Sequence, residues 1–444
     1  MIFHILKHRS IVAALVGTLI LRVASAAMGS MIQLYFGYID RSVYPLSATM
    51  RGVALAIFFL PELIFSPVFG AWSDRYGRKW FMGLGALLGG LSAQIAALTT
   101  HFGALVFVRW LAGLATACGL PATLGLLSAE TAQDESLRGC VMGLFQLVTI
   151  GGTIIGILIG GRLWDLFHAQ AFTLNHAIYL LSLLVFGLGI RETLTLRTRR
   201  THAIVHGARA LRRAFNYYRE ALLTPEVLRF APAWLTINIL LGIWLNQIVG
   251  QLLAPRERFP HQLLYGILSE QNNAGTQMAL AALGFAVLFV LGIIGWSWVL
   301  GKMRRTTVML IASGGILSLC TVLFALNRRP ALDDPLAPVL VVLALAMLTV
   351  VSGIMPATLT YLADVTEVRV NDRGAIMGLY TIFFGAGQFL GTLLGGPFAD
   401  WAALDGILFL TSGLGMITAV LLFRLHRAET AVRIPETITV KYDE

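Results

Sequence analysis

Residues 121–165 read PATLGLLSAETAQDESLRGCVMGLFQLVTIGGTIIGILIGGRLWD, and residues 356–400 read PATLTYLADVTEVRVNDRGAIMGLYTIFFGAGQFLGTLLGGPFAD. The two segments align without gaps at a constant offset of 235 and share 17 of 45 residues. The shared residues include Pro121, Arg138 and Asp165, types that a common apolar composition would not align. The chain is therefore predicted to contain two copies of one unit, arranged as parallel repeats in a membrane.

The composition indicates an integral membrane protein. Of the 444 residues, 57% are hydrophobic and 13% are charged, and the mean hydropathy is +0.77. A soluble domain carries about 25% charged residues, so this chain lacks the polar side chains needed to cover a surface in water. The composition therefore excludes a soluble enzyme and a disordered chain. The apolar runs are continuous rather than alternating, which excludes a β-barrel.

Continuous apolar runs of about 20 residues mark helices long enough to cross a bilayer. Twelve such runs are predicted, so each repeat contains six helices and the fold class is an all-α membrane protein. The predicted spans are 10–33, 48–71, 80–99, 102–128, 139–163, 175–194, 229–252, 275–300, 306–326, 336–363, 374–398 and 403–423.

The basic residues predict the orientation, because Lys and Arg collect in cytoplasmic loops. With the N-terminus inside, 24 of the 33 basic residues fall on the cytoplasmic side and 7 on the opposite side. Both termini are therefore predicted to be cytoplasmic, in a multi-pass protein of the inner (plasma) membrane. Residues 7–26 also resemble a cleaved signal peptide, whose removal would leave eleven spans and reverse the charge bias.

Three regions are predicted along the chain: a six-helix half at 1–194, a basic cytoplasmic linker at 195–228, and a six-helix half with a short tail at 229–444. The linker has one apolar helical face, which predicts an amphipathic helix. This helix lies either on the cytoplasmic membrane surface or against the base of the bundle. Its apolar face consists of Leu211, Phe215, Tyr218 and Leu222, and the arginines Arg209, Arg212, Arg213 and Arg219 lie away from it.

A short polar loop follows the second predicted span and reads Gly70-Ala-Trp-Ser-Asp-Arg-Tyr-Gly-Arg-Lys79. Gly77 can adopt a positive φ in such a turn, and Asp74 can face a helix N-terminus. The loop resembles the G-x-x-x-D-R-x-G-R-[RK] motif of the major facilitator superfamily. This resemblance implies a secondary transporter built from two six-helix halves that works by alternating access.

The same resemblance implies a gate at this loop. In the family the loop Asp meets the N-terminus of helix 11, which corresponds here to Asp74 and the helix beginning near Arg373. The loop Arg meets an acid at the end of helix 4, which corresponds to Arg78 and Glu130. The equivalent loop of the second half, residues 300–305, keeps the basic residues but lacks the Asp. The implied gate residues are Asp74, Arg75, Gly77, Arg78, Glu130 and Arg373.

Glycines recur at every fourth position in the fifth and eleventh spans, which gives each helix a smooth face for close packing. The run in the fifth span resembles the family's antiporter motif G-x-x-x-G-P-x-x-G-G, with Ile157 where the family usually has Pro. Packing alone and an antiporter-type helix bend are both open interpretations. The glycines are Gly152, Gly156, Gly160 and Gly161 in the first half, and Gly387, Gly391, Gly395 and Gly396 in the second.

Three charged residues lie deep inside predicted spans: Arg22, Glu62 and Arg109. A charge near the midplane costs at least ~2.5–3.5 kcal/mol, so such side chains face the bundle interior and have a partner or a function. Arg22 and Glu62 form either a static structural pair or a proton-binding site. Arg109 begins an R-x-x-x-G segment that resembles the family's helix-4 motif, which is linked to proton coupling in its antiporters.

The second half has no deep charge, so its candidate cavity residues are neutral. A charged first half and an aromatic, neutral second half favour proton-coupled efflux of an amphiphilic or lipid-like small molecule. The candidate substrate-cavity residues are Gln33, Trp234, Asn238, Asn246, Gln277 and Gln388.

Two other functions fit the same sequence: a proton-coupled uptake symporter for a sugar or metabolite, and a non-transporting receptor or assembly factor. No phosphate-binding loop and no nucleophile–base pair is visible, so neither ATP-driven transport nor an enzyme is expected. Three cysteines in or beside apolar runs indicate neither a disulfide framework nor a metal site. We expect a monomer in the lipid bilayer that binds a small molecule and protons, without a cofactor, a metal or a nucleic-acid partner.

Overall fold

The computed structural model describes residues 8–191, 222–269, 271–331, 333–368 and 373–433. Every regular element in these ranges is helical, which confirms the all-α class. The predicted linker helix lies outside the described residues, apart from Leu222 at its end.

The helices are numbered here in chain order. They are α1 (Arg9–Ser42), α2 (Ala48–Ala56), α3 (Phe59–Tyr76), α4 (Arg78–Leu98), α5 (Phe102–Glu130), α6 (Glu135–Phe167), α7 (Ala171–Gly189), α8 (Pro225–Leu252), α9 (Ala274–Leu300), α10 (Arg305–Asn327), α11 (Ala337–Val351), α12 (Ile354–Val368) and α13 (Arg373–Arg433).

Ten stretches of the described residues are long and apolar enough to cross a membrane. They agree with the prediction of a multi-pass membrane protein, although twelve spans were expected. The number differs because two stretches, Leu137–Gly189 and Thr381–Glu429, each contain two predicted spans separated by only a short break.

The breaks inside these two stretches have the same backbone geometry. His168 follows α6 with φ 48° and ψ −126°, and Ala403 interrupts α13 with φ 49° and ψ −128°. A positive φ is costly for a residue with a β-carbon, so each position is a genuine corner rather than a gentle bend. The two residues are 235 positions apart, the offset of the repeated segment. The internal repeat therefore extends to the backbone.

The helices group into two compact units. The first contains residues 8–191 together with Asn246–Arg258 and Gly266–Leu283, and the second contains the rest of the described chain from Leu222 onward. The last turns of α8 and the first turns of α9 thus belong to the first unit. The halves expected from the sequence, 1–194 and 229–444, place both helices entirely in the second half.

In the first unit the helices contact one another through small residues. This is usual in a membrane, because the hydrophobic effect does not drive helices together there and close packing does. Gly85 on α4 lies against the backbone of α5, where an added β-carbon would be 2.8 Å from the carbonyl oxygen of Ala115. Gly17 on α1 lies against the ring of Phe186 on α7. Many large apolar side chains on the outer faces are exposed, which suits contact with lipid.

The second unit packs in the same manner. Gly242 on α8 lies against α13, where an added β-carbon would be 2.8 Å from the carbonyl oxygen of Gln388. Trp296 on α9 donates a hydrogen bond from Nε1 to the carbonyl oxygen of Thr349 on α11, at 2.9 Å. These contacts hold the helices around a cavity described below.

Candidate functional site

A proline breaks the second predicted span in its middle. α2 ends at Ala56 and α3 begins at Phe59, because Pro61 has no N–H to donate to the carbonyl of Ile57 and its ring crowds that carbonyl. Glu62 therefore lies in the first turn of α3. The free N–H groups of a helix N-terminus favour a negative charge, so the break provides a place for a carboxylate inside an apolar span.

Arg22 on α1 is the charged neighbour of Glu62. Both side chains are partly buried. The ion pairs found among the described residues do not include a direct one between these two, so they interact through space. Attraction between separated charges is strong in a medium of low polarity, and the charge of either group therefore depends on where the other lies.

Arg22 opens onto a small cavity inside the first unit. The cavity has a volume of about 30 Å³, which is room for one or two water molecules. Polar side chains supply much of its lining, so a water inside it would find hydrogen-bond partners. These side chains are Thr18, Arg22, Ser25, Thr116, Thr123 and Tyr179.

Tyr179 on α7 is a site residue that sequence reasoning missed. It is buried, lines the same cavity as Arg22 and Ser25, and also lies near Arg109. It thus brings an uncharged hydroxyl close to both arginines. The only signal in the sequence was a hydroxyl group inside an apolar run, which is weaker than a charge.

Arg109 and Gly113 on α5 both contact Phe58, at the break between α2 and α3. The guanidinium carbon of Arg109 lies 4.6 Å from the centroid of the Phe58 ring. Gly113 lies against the carbonyl oxygen of Phe58 so closely that a β-carbon there would collide with it. A desolvated cation over a ring gains about 2 kcal/mol. The R-x-x-x-G spacing therefore places both residues on one face of α5, against the start of the helix that carries Glu62.

The loop between α3 and α4 turns at Gly77, with φ 120° and ψ 124°. Its N–H donates to the carbonyl oxygen of Ser73 at 3.0 Å and so closes α3. Across this turn Arg78 donates to the carboxylate of Asp74 at 2.8 Å, while Arg75 lies over the ring of Tyr76. Arg373 begins α13, but its side chain is outside the described residues.

The expected pair between Arg78 and Glu130 is absent among the described residues, because Arg78 is paired with Asp74 on its own loop. The second unit contains a counterpart of the expected pair. There Arg305, at the start of α10, lies 3.4 Å from Asp364 on α12. The repeat offset of 235 aligns Asp364 with the residue just before Glu130.

Six of the eight glycines expected to pack helices lie at close helix contacts. Gly156 on α6 lies against the carbonyl oxygen of Val23 on α1, and Gly160 would bring a β-carbon to 2.8 Å from the carbonyl oxygen of Ala27. The others lie as follows: Gly152 beside Arg22, Gly161 beside Gly275, Gly387 beside Asn238, Gly391 beside Ile239, and Gly395 and Gly396 buried in α13.

The six expected cavity residues have different surroundings. Trp234, Asn238 and Gln388 are buried where α8 packs on α13. A polar side chain in a membrane helix is readily satisfied by the helix itself, and Asn238 donates to the carbonyl oxygen of Trp234 at 2.8 Å. Gln277 donates to Asn273 in the first turn of α9. The remaining two, Gln33 and Asn246, are partly exposed.

A buried ion cluster at the end of α1 was also missed from the sequence. Arg258 donates from both terminal nitrogens to the carboxylate of Asp40, at 2.7 and 3.1 Å. Arg51 lies 3.7 Å from the same carboxylate and donates to the carbonyl oxygen of Gly250 at 3.1 Å. The sequence gives no signal for this cluster, because Arg258 lies 218 positions from Asp40.

Asp165, at the end of α6, accepts hydrogen bonds from the start of α9. The backbone N–H groups of Gly275 and Thr276 donate to its carboxylate at 2.8 and 2.7 Å, and the Thr276 hydroxyl donates at 2.5 Å. A carboxylate at this position satisfies two N–H groups that a helix cannot pair internally. Asp165 therefore fixes the first turn of α9 to the end of α6.

The second unit contains a larger and almost wholly apolar cavity of about 90 Å³. Trp244 on α8 and Phe285 and Phe289 on α9 contribute aromatic rings to it. Ile316 on α10 and Met355 on α12 are among the aliphatic side chains that complete the lining. The candidate sites of the two units thus differ in character, one polar and charged, the other aromatic and uncharged.

Comparison with known sequences relates this geometry to a family and to named proteins. Residues 11–269 and 259–439 match the sequence profile of the Major Facilitator Superfamily. The chain is 32% identical over 154 residues to multidrug resistance protein 2 of Bacillus subtilis (strain 168), which is 35% of this chain and 38% of that protein. It is 27% identical over 270 residues to the class H tetracycline resistance protein of Pasteurella multocida, which is 60% of this chain and 61% of that protein. The chain thus spans less than two thirds of either relative.

Among solved structures, the nucleoside transporter NupG has a similar fold. The TM-score is 0.69 at 13% sequence identity, and the match covers 94% of this chain and 98% of that one. At this identity the likeness concerns the fold alone.

Proposed function

Because the chain belongs to the Major Facilitator Superfamily, we propose that it is a proton-coupled exporter of amphiphilic small molecules that works by alternating access. In this proposal the monomeric protein crosses the membrane twelve times, with both termini in the cytoplasm. The 53-residue stretch Leu137–Gly189 then crosses twice, since one straight helix of that length would measure about 80 Å against a hydrocarbon core of about 30 Å. Thr381–Glu429 does the same in the second half.

The observation that carries the proposal is the position of Glu62. It lies in the first turn of a helix that begins inside the membrane, beside Arg22, in a unit whose cavity has room for water. A conformational change that alters water access or the separation of the two charges changes the protonation of this carboxylate. Proton binding and substrate release are thereby linked to the same movement.

The nature of the cargo is inferred from two features. The relatives include proteins named for resistance to multiple drugs and to tetracycline, which supports export of foreign amphiphiles. The almost wholly apolar, aromatic cavity of the second unit supports a molecule with an apolar part.

Proteoliposomes that enclose a pH-sensitive dye test the proposal. With an acidic interior, tetraphenylphosphonium added outside should enter while protons leave, at rates that rise together with probe concentration. Movement of probe and protons in the same direction would identify a symporter instead. Binding of the probe without any proton flux would identify a receptor, and liposomes without protein provide the baseline.

A further inference from the structure

The two cavities lie at corresponding places in the two copies of the repeat. In α5 and in α11–α12 their lining residues are related by the offset of 235. Thr116, Gly119 and Leu120 line the first cavity, and Val351, Ile354 and Met355 line the second.

The first helix of each copy also lines its cavity. Gly152 lies against Arg22 and Gly156 against the carbonyl oxygen of Val23, and their repeat partners Gly387 and Gly391 lie against Asn238 and the carbonyl oxygen of Ile239, which gives an offset of 216. This offset pairs the lining residue Leu21 with Ile237 and the lining residue Ser25 with Leu241. Leu240 and Trp244 complete the contribution of α8 to the second cavity.

The corresponding positions differ in chemistry. Leu241 stands where the first copy has Ser25, and Val351 stands where it has Thr116. The second copy therefore has a cavity at the corresponding place, with apolar groups at positions where the first copy has polar ones.

We infer that the cavity of the second unit binds an aromatic ring of the transported molecule, an assignment that rests on the proposed function. An empty space in a packed interior is destabilising because its walls lack contacts, and here a space is present at corresponding places in both copies although the lining of the second is almost wholly apolar. The lining offers almost no hydrogen bonds, so only an uncharged apolar group enters without loss.

The lining favours a ring over a flexible chain. Phe285 and Phe289 are stacked, with ring centroids 5.6 Å apart and planes inclined by 17°, and Trp244 adds a third aromatic surface. Aromatic groups gain from offset and edge contacts with such rings in addition to apolar burial. The volume of about 90 Å³ approaches the roughly 150 Å³ of an apolar protein cavity that takes up benzene.

Equilibrium binding of tetraphenylphosphonium to the purified full chain in detergent tests the site without requiring transport. Ile316→Phe fills the cavity, and Ile311→Phe makes the same change on α10 at a side chain that is 41% exposed. The first variant should weaken binding at least tenfold, and the second should stay within twofold of the wild type. Equal binding by both variants would overturn the assignment.

A second pair of variants tests the site in case Ile316→Phe does not fold. Trp244→Leu removes a ring from the cavity, and Trp401→Leu removes one that is 67% exposed elsewhere in the unit. Only the former should weaken binding. Failure of the wild-type protein to bind the probe, or a lipid chain in the cavity of the probe-bound protein, would also overturn the inference. Binding that follows the expected pattern without proton exchange would contradict the proposed function and leave this site standing.

Discussion

Arg258 binds the carboxylate of Asp40 through two hydrogen bonds, of 2.7 and 3.1 Å, although the residues are 218 positions apart in the sequence. The carboxylate is fully buried and also accepts the backbone N–H of Leu46 at 2.7 Å. The segment that follows α8 is thereby tied to the end of α1.

The first prediction concerns this link. Asp40→Ala leaves Arg51, which is 4% exposed, as a buried charge without its carboxylate. Breaking a buried pair in this way costs about 3–5 kcal/mol, and we expect the lower end because the Arg258 side chain is 35% exposed. Thermal unfolding of the purified protein should show a clear loss of stability, with Asp333→Ala as an exposed control. Equal melting temperatures would refute a structural role for the cluster.

The second prediction compares two adjacent glycines of α6. A β-carbon at Gly152 would lie 2.8 Å from the β-carbon of Arg22 and 3.0 Å from the carbonyl oxygen of Leu19, whereas a β-carbon at Gly151 meets nothing within 4 Å. Gly152→Ala should therefore destabilise the protein by about 1–3 kcal/mol through overpacking. Gly151→Ala should stabilise it by up to about 1 kcal/mol, because alanine favours a helix. The same thermal assay decides, and a similar effect of both variants would argue against tight packing of α6 on α1.

The third prediction separates stability from transport at the loop between α3 and α4. The Asp74 side chain is 59% exposed, and an exposed ion pair contributes at most about 1 kcal/mol. Asp74→Asn should thus leave the melting temperature almost unchanged. Transport in proteoliposomes should slow if the loop is the gate that the family resemblance implies. Full transport activity of the variant would remove Asp74 from the gate.

The fourth prediction concerns orientation. A cysteine at Glu257 or Asp334 should react with a membrane-impermeant maleimide added outside intact cells, and a cysteine at Lys79 should react only after lysis. Cys140 is partly exposed and is best replaced by Ser first, while Cys118 and Cys320 are buried. Labelling of the Lys79 position from outside would reverse the proposed topology.

The charged residues of the first unit could be predicted from the sequence because a charge in an apolar span is rare. Arg22, Glu62 and Arg109 could therefore be identified. In the structure Arg22 lies on α1, Glu62 lies just after the break between α2 and α3, and Arg109 lies on α5. Two other features could not be predicted in the same way. Tyr179, which lies near Arg22 and Arg109, carries no charge, and the pair of Asp40 with Arg258 forms only in the folded chain.

In the second unit, polarity did not identify the residues that line the cavity. Its candidate residues were chosen for polarity, yet Asn238 and Gln388 lie at a helix contact rather than in the apolar cavity. The cavity is lined by residues such as Leu241 and Phe289, which resemble every other apolar residue of a membrane helix. These residues are recognised as lining residues only by their place in the structure. That place depends on how the helices pack, which residue type does not reveal.

The helix count illustrates a further limit. Hydropathy predicts twelve separate spans, but it leaves residues 164–174 between the fifth and the sixth, whereas in the structure α6 ends at Phe167 and α7 begins at Ala171. A single corner residue at His168 and at Ala403 is enough to end one helix and start the next. No proline or glycine marks either corner, so turn chemistry gave no signal.

The central claim is that Glu62 couples protons to transport, and accumulation of tetraphenylphosphonium against its gradient tests it most directly. Proteoliposomes with an imposed pH gradient should concentrate the probe with wild-type protein and with Glu257→Gln, an exposed control. Glu62→Gln should exchange probe down its gradient at a rate independent of pH and should fail to concentrate it. Uphill accumulation by Glu62→Gln with wild-type pH dependence would contradict the account and leave Glu62 as a structural partner of Arg22.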